Sequence, residues 1–575
     1  MSNNASLAAI FQQMADVNQV IDGNRFKTNA YQRAARLMKD LTRDVGEIDP
    51  KDLAAMEGVG KGLLEKIGQF LATGQVEEHQ QMIDNVPPGV LALLDVPGLG
   101  PKGVAQLWRE AGIESVGDLK GKIADGSLAQ LKGFGKKKLE NLSKSIAFAE
   151  SAGGRVHLGN AMPLALAVIE ALCDLPGVEK IDYAGSLRRG KETIGDIDIL
   201  IGAPGKYAAS IMEVFVGLPF AQEVLVQGET KSSIRTDDET MRIQIDLRVV
   251  DPAGYGAALM YFTGSKEHNV KLRTIGVKAG LKLNEYGLYD RETDELIAAE
   301  DEETIYESMG MRWMPPEIRE NTGEIEAAME DRLPELVALD QIKGDLHIHT
   351  DYSHAVDPLE HMVEKAVSMG HQYIAITDHS KGLAIAKGLS EKRLAKLIKE
   401  IETLDAEYPE VRVIKGTECD IKGDGSLDYS DDTLSQLDFV IASVHTGFQN
   451  DEEKLTQRMV DAIHNPYVKA IGHPTGRLIQ RRSPYALDMD RVFEAAAEQN
   501  VFMEINGSPS RLDLTDVNTR RAKEKGVKLS LGSDAHSVSQ MEFLPLSVAV
   551  ARRGWLTQED VVNTWELEKV LGYRK

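Results

Sequence analysis

The stretch Gly185 to Ile201 reads GSLRRGKETIGDIDILI. It holds a Gly-Ser turn, a pair of arginines, a short loop, and then Asp-Ile-Asp inside an apolar run. Alternate residues of a strand share a face. Asp196 and Asp198 should therefore project side by side, with Ile197, Ile199 and Ile201 turned into a core. Adjacent carboxylates repel unless something positive lies between them. Hard divalent cations such as Mg²⁺ prefer carboxylate oxygen. Further on, MRIQIDLRVVD alternates as a half-buried strand and carries Asp246 between Ile245 and Leu247. Phosphoryl transfer needs an activated attacking oxygen, a neutralised triphosphate and in-line geometry, which two cations roughly 3.5–4 Å apart supply. Asp196 and Asp198 could bridge both ions, with Asp246 reaching only the one that activates the attacking hydroxyl. Gly185, Ser186 and Arg189 suit the phosphates of a nucleotide.

A second constellation lies downstream. Ten of the 13 histidines fall between His347 and His536. They occur as GDLHIHTDYSHA, AITDHS, ASVHTG, IGHPTG and GSDAH, with the carboxylate motif GTECDI among them. Imidazole and carboxylate together favour Zn²⁺, Mn²⁺ or Fe²⁺. His347 and His349 form an H-x-H pair on one strand face and could share a metal. Asp534 and His536 repeat the device at the far end. Each motif follows an apolar strand, which is where barrel and doubly wound enzymes place their sites. His361, His371 and His464 sit outside these motifs and read as surface or helix residues.

The elements that must position these residues follow from length and pattern. A chain of 575 residues should hold about three or four domains. No apolar run approaches the ~20 residues that span a bilayer, so no membrane partner is expected. The N-terminus lacks the basic-then-apolar order of a signal peptide. Two cysteines, Cys173 and Cys419, cannot form a disulfide framework, and a cytoplasmic location is the expectation. The net charge of −24 argues at first against nucleic acid, but residues 1–155 carry 19 basic and 19 acidic side chains. The acidic excess lies beyond them, partly at the two proposed metal sites.

Residues 1–85 read as helices, ending in MEGVGKGLLEKIGQFLATG. The pattern returns at VPGLGPKGVAQLWREAGI and, weaker, at LKGFGKKKLENLSKSI. Glycine lets a turn approach a partner, and amides at the start of a helix attract anions. Residues 86–150 complete this region. A strand-rich part follows over 151–250, then a helix and a strand pair over 251–314. The charged stretch 315–343 reads as a linker. Residues 344–575 alternate strand and helix, which implies a parallel sheet or barrel.

The threefold Gly-x-Gly repeat resembles the helix-hairpin-helix pattern of DNA-repair proteins, which grip a phosphate backbone without reading bases. The series GS…RRG…GDIDIL, IQIDLRVV and YFTGS…N resembles the family X DNA polymerases, over about residues 1–315. The resemblance implies an α+β nucleotidyltransferase palm and a nucleotide-selection subdomain behind the α-helical repeats. It implies Asp196, Asp198 and Asp246 as ligands of two Mg²⁺ or Mn²⁺ ions, and Ser186 and Arg189 at the triphosphate. Tyr261 and Phe262 would lie against the nucleotide sugar, with Gly264 closing the turn. Asn269 would face the base edge and Arg273 the template; His268 has no derivable role. Gly58-Val59-Gly60 and Gly98-Leu99-Gly100 would hold gapped or nicked DNA, with Na⁺ or K⁺ on their carbonyls. Lys66 matches the family's Schiff-base lyase lysine; the alternative is a surface lysine on an amphipathic helix. Glu57 stands where proline is usual.

The histidine-rich region resembles the PHP (polymerase and histidinol phosphatase) domain, a distorted (βα)7-type barrel holding three metals. The resemblance implies nine ligands: His347, His349, His354, His379, Glu418, His445, His473, Asp534 and His536. Ser353-His354-Ala355 departs from the commoner Ser-Asp-Gly. With all nine positions filled, the domain is expected to hydrolyse a phosphoester, with Arg477 holding the phosphate by two prongs. The chain therefore reads as a monomeric repair enzyme for base excision repair. It would fill short gaps from deoxynucleoside triphosphates and trim 3′ ends, with cleavage at abasic sites as an added activity. The alternative is a polymerase fused to a phosphatase or pyrophosphatase for small phosphoesters.

Overall fold

The computed structural model of the chain describes residues 1–575 except 1–2, 22, 42–44, 57–58, 85, 94–95, 97–98, 136–137, 140–141, 144–145, 147–154, 237–241, 449 and 575. It divides into two compact units, Met1–Gly154 and Arg155–Lys575. No described helix is long and apolar enough to cross a membrane.

The first unit is helical and has two apolar cores. One gathers Leu7, Phe11, Met14, Tyr31, Met38, Ile67 and Phe70; the other gathers Val90, Leu99, Val104, Leu107, Leu119 and Phe134. The internal repeat is visible in the backbone. In each copy a buried residue closes a turn: Val59 N donates to Met56 O, Leu99 N to Val96 O, and Phe134 N to Leu131 O, at 3.0–3.1 Å for the first two and 2.9 Å for the third. The next glycine then opens a helix. Gly60 O accepts from Leu63 and Leu64, Gly100 O from Gly103 and Val104, and Gly135 O from Lys138 and Leu139. A Cβ added at Gly60, Gly100 or Gly135 meets nothing within 4 Å. These glycines leave the surface open rather than relieve a clash, as close approach of an external backbone requires. Gly58 and Gly98 lie outside the described residues.

The second unit begins with a five-stranded mixed sheet. Its order is Lys180–Tyr183, Asp196–Gly202, Gln244–Val250, Lys231–Arg235, Glu223–Gln227. Only the Asp196–Gly202 and Gln244–Val250 strands are mutually parallel. Helices Leu158–Leu172 and Ala208–Val216 pack into its core through Val168, Leu172, Ile211 and Phe215. Helices Tyr255–Thr263 and Lys266–Lys278 follow, then a three-stranded antiparallel sheet.

Residues 315–343 are not the linker that their charge suggested. Arg319, Glu324, Ile325 and Val337 are 0–1% exposed. The stretch is charged because it closes a buried polar network. Arg319 donates to Glu302 through Nη1 (2.6 Å) and Nη2 (2.9 Å), and Arg188 donates to the same carboxylate at 2.8 and 3.0 Å. His268, without a derivable role from sequence, is fully buried between Glu324 (2.7 Å) and the Tyr306 hydroxyl (2.8 Å). It is a packed core histidine.

The C-terminal part is a barrel. Seven parallel strands run in chain order: Gly344–Ile348, Tyr373–Ile376, Arg412–Asp420, Phe439–Ser443, Val468–Ile471, Phe502–Asn506 and Leu529–Gly532. The first and last meet through a parallel bridge at Ile348 and Ala535, with His349 N donating to Ala535 O at 2.9 Å and Asp534 N to His347 O at 3.0 Å. One end is plugged by aromatics: Phe502 stacks on Tyr573 (5.1 Å) and lies near Phe439 (6.4 Å) and Trp565 (6.3 Å). The motif residues occupy the other ends of the same strands.

Burial would raise the Glu302 carboxyl, but Arg319 and Arg188 hold it far below the usual range. Its stabilisation is complete above the unfolded value of about 4.3 and is lost as the pH falls from there toward the folded value. Glu302→Ala strands two buried guanidiniums and should cost about 3–5 kcal/mol, read as a lower urea midpoint. Glu542→Ala, which removes the exposed pair with Lys365, should cost under ~1 kcal/mol.

Candidate metal centres

Parallel register builds the first centre. Asp198 lies directly opposite Asp246, and Asp196, two residues earlier on the same face, lies opposite Gln244. Burial raises the Asp198 carboxyl, and the neighbouring Asp196 and Asp246 charges raise it further, to about 7. Asp196, exposed at the start of its strand, is also raised, by partial desolvation and by Asp246. Gathered carboxylates with this charge deficit fit divalent cations. Lys231 partly fills the deficit, its Nζ 3.3 Å from Asp246, and Gln244 Nε2 donates to Asp246 at 2.8 Å. Sequence pattern missed Lys231, because a lysine on a neighbouring strand carries no local signal.

Gly185 is required here. Its φ is +61°, and an added Cβ would sit 2.4 Å from Asp198 Oδ2. The short helix Gly185–Arg188 therefore starts directly against the Asp198 carboxylate, with Ser186 as its second residue. Arg189 Nε donates to Glu320 at 3.1 Å, and its Nη1 donates to the Thr263 carbonyl. The triphosphate role expected for Arg189 thus requires an exchange of partner. Tyr261 and Phe262 meet edge to face at 5.2 Å, and Arg248 covers the Phe262 ring at 4.5 Å. Gly264 ends that helix at φ +70°. Asn269 Nδ2, expected at the base edge, donates to the Tyr261 main-chain carbonyl at 2.7 Å. Arg273 is exposed on the next helix. In the first unit, Lys66 pairs with Glu78 at 2.7 Å, a bond that must break before the amine could attack a carbonyl.

The second centre collects all nine expected residues. Glu418 lies at its middle: His379 Nδ1 is 2.8 Å from one oxygen, and His473 Nε2 and His445 Nε2 are 2.9 and 3.2 Å from the other. His347 Nε2 and His349 Nε2 approach to 3.1 Å, with Asp534 Oδ1 3.2 Å from His349. The His354 ring lies 4.4 Å from His536 and 5.0 Å from His379. Donor atoms cluster within 4.8 Å in three overlapping groups: His349, His379 and His536; His347, His349 and Asp534; His379, Glu418 and His445.

The donor set fits metal better than it fits hydrogen bonding. Both Glu418 oxygens and the Nδ1 atoms of His349, His379 and His473 are buried without an aligned hydrogen-bond partner. Such atoms are costly unless something pairs them. His473 (φ +27°) and Asp534 (φ +55°) also adopt left-handed backbone, and strain of this kind clusters at functional sites.

An outer layer fixes the ligands. Glu504 accepts from His347 Nδ1 at 2.6 Å, Asp420 from His445 Nδ1 at 3.1 Å, and Asn506 donates to Asp534 at 3.1 Å. Asp378 takes Thr350 N (2.9 Å) and Thr350 Oγ1 (2.6 Å), anchoring the loop before His354. An added Cβ at Gly532 would lie 2.5 Å from His347 Cβ, so that glycine makes room for a ligand. Sequence reasoning passed over this layer. Its available signal was Glu504-Ile505-Asn506, polar side chains two apart on an apolar strand.

Arg477 is a correction. It is 8% exposed, donates to the Arg511 and Leu512 carbonyls, and pairs at 2.8 Å with Glu192, in the loop that precedes the Asp196–Gly202 strand. It joins the two parts of the unit instead of facing a phosphate. Arg511 faces the site, 3.5 Å from Asp534, in a cleft of about 550 Å³. The cleft walls include Leu383, Ile385, Leu478 and Phe543 beside the histidines, and Ile385 is 92% exposed.

Similarity to known proteins runs along the chain. Residues 2–76 match a helix-hairpin-helix domain, 90–147 a SAM-like helix-hairpin-helix tandem, 258–320 the DNA polymerase beta thumb, and 345–508 the PHP domain. The DNA polymerase/3′-5′ exonuclease PolX of Bacillus subtilis (strain 168) is 37% identical over 552 residues, covering 96% of each chain. A probable phosphatase of Thermoanaerobacter sp. (strain X514) is 33% identical over 242 residues, 40% of this chain and 94% of that protein.

Glu418→Ala should remove on the order of two equivalents of bound divalent metal, because its carboxylate touches several donors. His354→Ala, at the exposed edge, should remove one at most. Elemental analysis after dialysis against Mn²⁺ reads both.

Proposed function

The chain belongs to the family of the DNA polymerase/3′-5′ exonuclease PolX, and on that premise we propose how its residues divide the work. The enzyme extends DNA from deoxynucleotides at one site and hydrolyses 3′ ends at the other, and both activities depend on divalent metal. The observation that supports the division is that the three aspartates and the clustered barrel histidines and acids stand on different sheets.

At the first centre we assign Asp196, Asp198 and Asp246 to two cations, Mg²⁺ or Mn²⁺. Ser186 and Arg189 hold the triphosphate, and Tyr261, Phe262 and Gly264 shape the sugar pocket. At the second we assign the nine ligands to three ions drawn from Mn²⁺, Zn²⁺ and Fe²⁺. Bound cations supply charge neutralisation at the first site and polarise the phosphoester at the second. Arg511 then orients the phosphate, with donors that suit its paired oxygens.

The apolar cleft wall favours a nucleoside over a small phosphoester. Leu383, Ile385 and Phe543 offer a nucleobase and sugar a surface to rest on, for which a bare phosphate has no use. The Gly60, Gly100 and Gly135 turns suit a DNA backbone, bound without regard to sequence. We read the pairing of these activities as short-gap filling in DNA repair by a monomer. The similarity of the barrel to probable phosphatases supports a second reading, action on small phosphoesters.

One-nucleotide gapped DNA tests the division. Asp246→Ala should lower nucleotide addition by on the order of a thousandfold, about 4 kcal/mol in the barrier, and leave 3′ trimming intact. His347→Ala with His349→Ala should do the reverse. Loss of both activities in either variant would sink the two-centre assignment. Ile385→Ser should weaken trimming of DNA while sparing p-nitrophenyl phosphate hydrolysis; equal loss on both would favour the small-phosphoester reading.

A further inference from the structure

The turn that carries Arg189 rests directly on the barrel. Gly190 has φ +62°, and an added Cβ would lie 3.4 Å from Ala549 Cβ and 3.7 Å from Arg553 Cδ. Both residues belong to the barrel helix Leu544–Arg553. The Arg553 side chain is 5% exposed. One edge of its guanidinium donates to Asp516 Oδ2, at 2.9 Å from Nε and 2.5 Å from Nη2. Its Nη1 donates to Arg189 O at 2.8 Å, Glu317 O at 3.1 Å and Glu320 Oε1 at 3.0 Å. That same Glu320 oxygen also takes Arg189 Nε at 3.1 Å and lies 3.3 Å from Lys191 Nζ. Burial would raise the Glu320 carboxyl, but Arg553, Lys191 and Arg189 hold it down at about 2. It is therefore a fixed negative charge shared by three cations from two domains.

This sharing poses a problem for nucleotide binding. Arg189 must leave Glu320 to reach a triphosphate. A half-buried carboxylate that loses a counter-ion opposes that move. Arg553 stays behind, clamped by Asp516, and with Lys191 keeps Glu320 paired after Arg189 has gone. We propose that Arg553, a residue of the exonuclease barrel, is a positioning residue for nucleotide addition: it neutralises Glu320 and so releases Arg189 to the incoming triphosphate. The proposal rests on the assignment of Arg189 to the triphosphate made above.

The test is steady-state nucleotide addition by the full chain on one-nucleotide gapped DNA, with 3′ trimming measured on the same preparations. Arg553→Gln should raise the KM for the deoxynucleotide about tenfold, equivalent to about 1.4 kcal/mol, with kcat and trimming nearly unchanged. Glu320→Gln added to that variant removes the charge that retains Arg189, and should bring KM back toward the wild-type value. A simple brace predicts that the double variant is no better than Arg553→Gln, and that result overturns the proposal. Parallel loss of addition and trimming also overturns it, as fold damage. Arg552→Gln breaks a pair with Glu317 (2.6 Å) at the same interface, and should leave KM unchanged; an equal rise there overturns the proposal too. Arg189→Ala separates the two ideas. If it leaves KM unchanged, the triphosphate assignment fails. If it raises KM while Arg553→Gln does not, only the release mechanism fails.

Discussion

Charges of one sign held close together by the backbone are the constraint on which this molecule depends. Three aspartates share one face of the first sheet, and burial with mutual repulsion raises the Asp198 carboxyl to about 7. β-Register holds them there. Asp198 and Asp246 are direct partners across parallel strands, so neither can withdraw without breaking the sheet. Such a frame gains its full stability only when cations arrive, which ties catalysis to metal binding. The barrel solves the same problem with a different donor set. Its candidate ligands come from the ends of six of the seven strands, and aromatic rings gather at the opposite end of the barrel.

Charge is also what joins the parts of the second unit. Arg188 and Arg319 meet on Glu302, Arg189 and Arg553 on Glu320, and Arg477 reaches Glu192. In each case an arginine from one segment is neutralised by an acid from another. Bidentate arginine geometry sets orientation as well as distance. A junction built in this way positions domains more exactingly than apolar contact, because an unpaired buried charge is strongly disfavoured. It also explains why residues 315–343 are charged yet packed. Their acids and arginines are the connectors, with Glu317, Arg319, Glu320 and Glu324 all engaged.

Two of the candidate metal-binding pairs were legible in sequence because their spacing follows from strand geometry, and the resemblance to known families supplied the rest. Asp-x-Asp and His-x-His place side chains on one face wherever the strand lies. The threefold glycine repeat was legible because it recurs, and the structure carries it into identical turn hydrogen bonds at Val59, Leu99 and Phe134. The residues that were misassigned, or given no role, are those whose partners lie far away in the chain. Arg477 looked like a phosphate clamp beside His473, yet Glu192 and two carbonyls hold it. His268 lies beside a motif but bonds Glu324 and Tyr306. Asn269, expected at a base edge, donates to the Tyr261 carbonyl, a partner the sequence did not show.

Sequence by itself determined the Asp-x-Asp and His-x-His pairs, the strand-helix alternation of the barrel and the repeated turns, because each depends on local periodicity. Tertiary structure alone decided which cation serves which acid. Arg511 rather than Arg477 faces the barrel cleft, Lys231 stands beside Asp246, and Glu320 is shared between Arg189 and Arg553. The reason is physical. A side chain's direction in a strand repeats every two residues and can be read along the chain, whereas the partner of a long, flexible arginine or lysine is fixed by distance in space, which only the closed fold supplies.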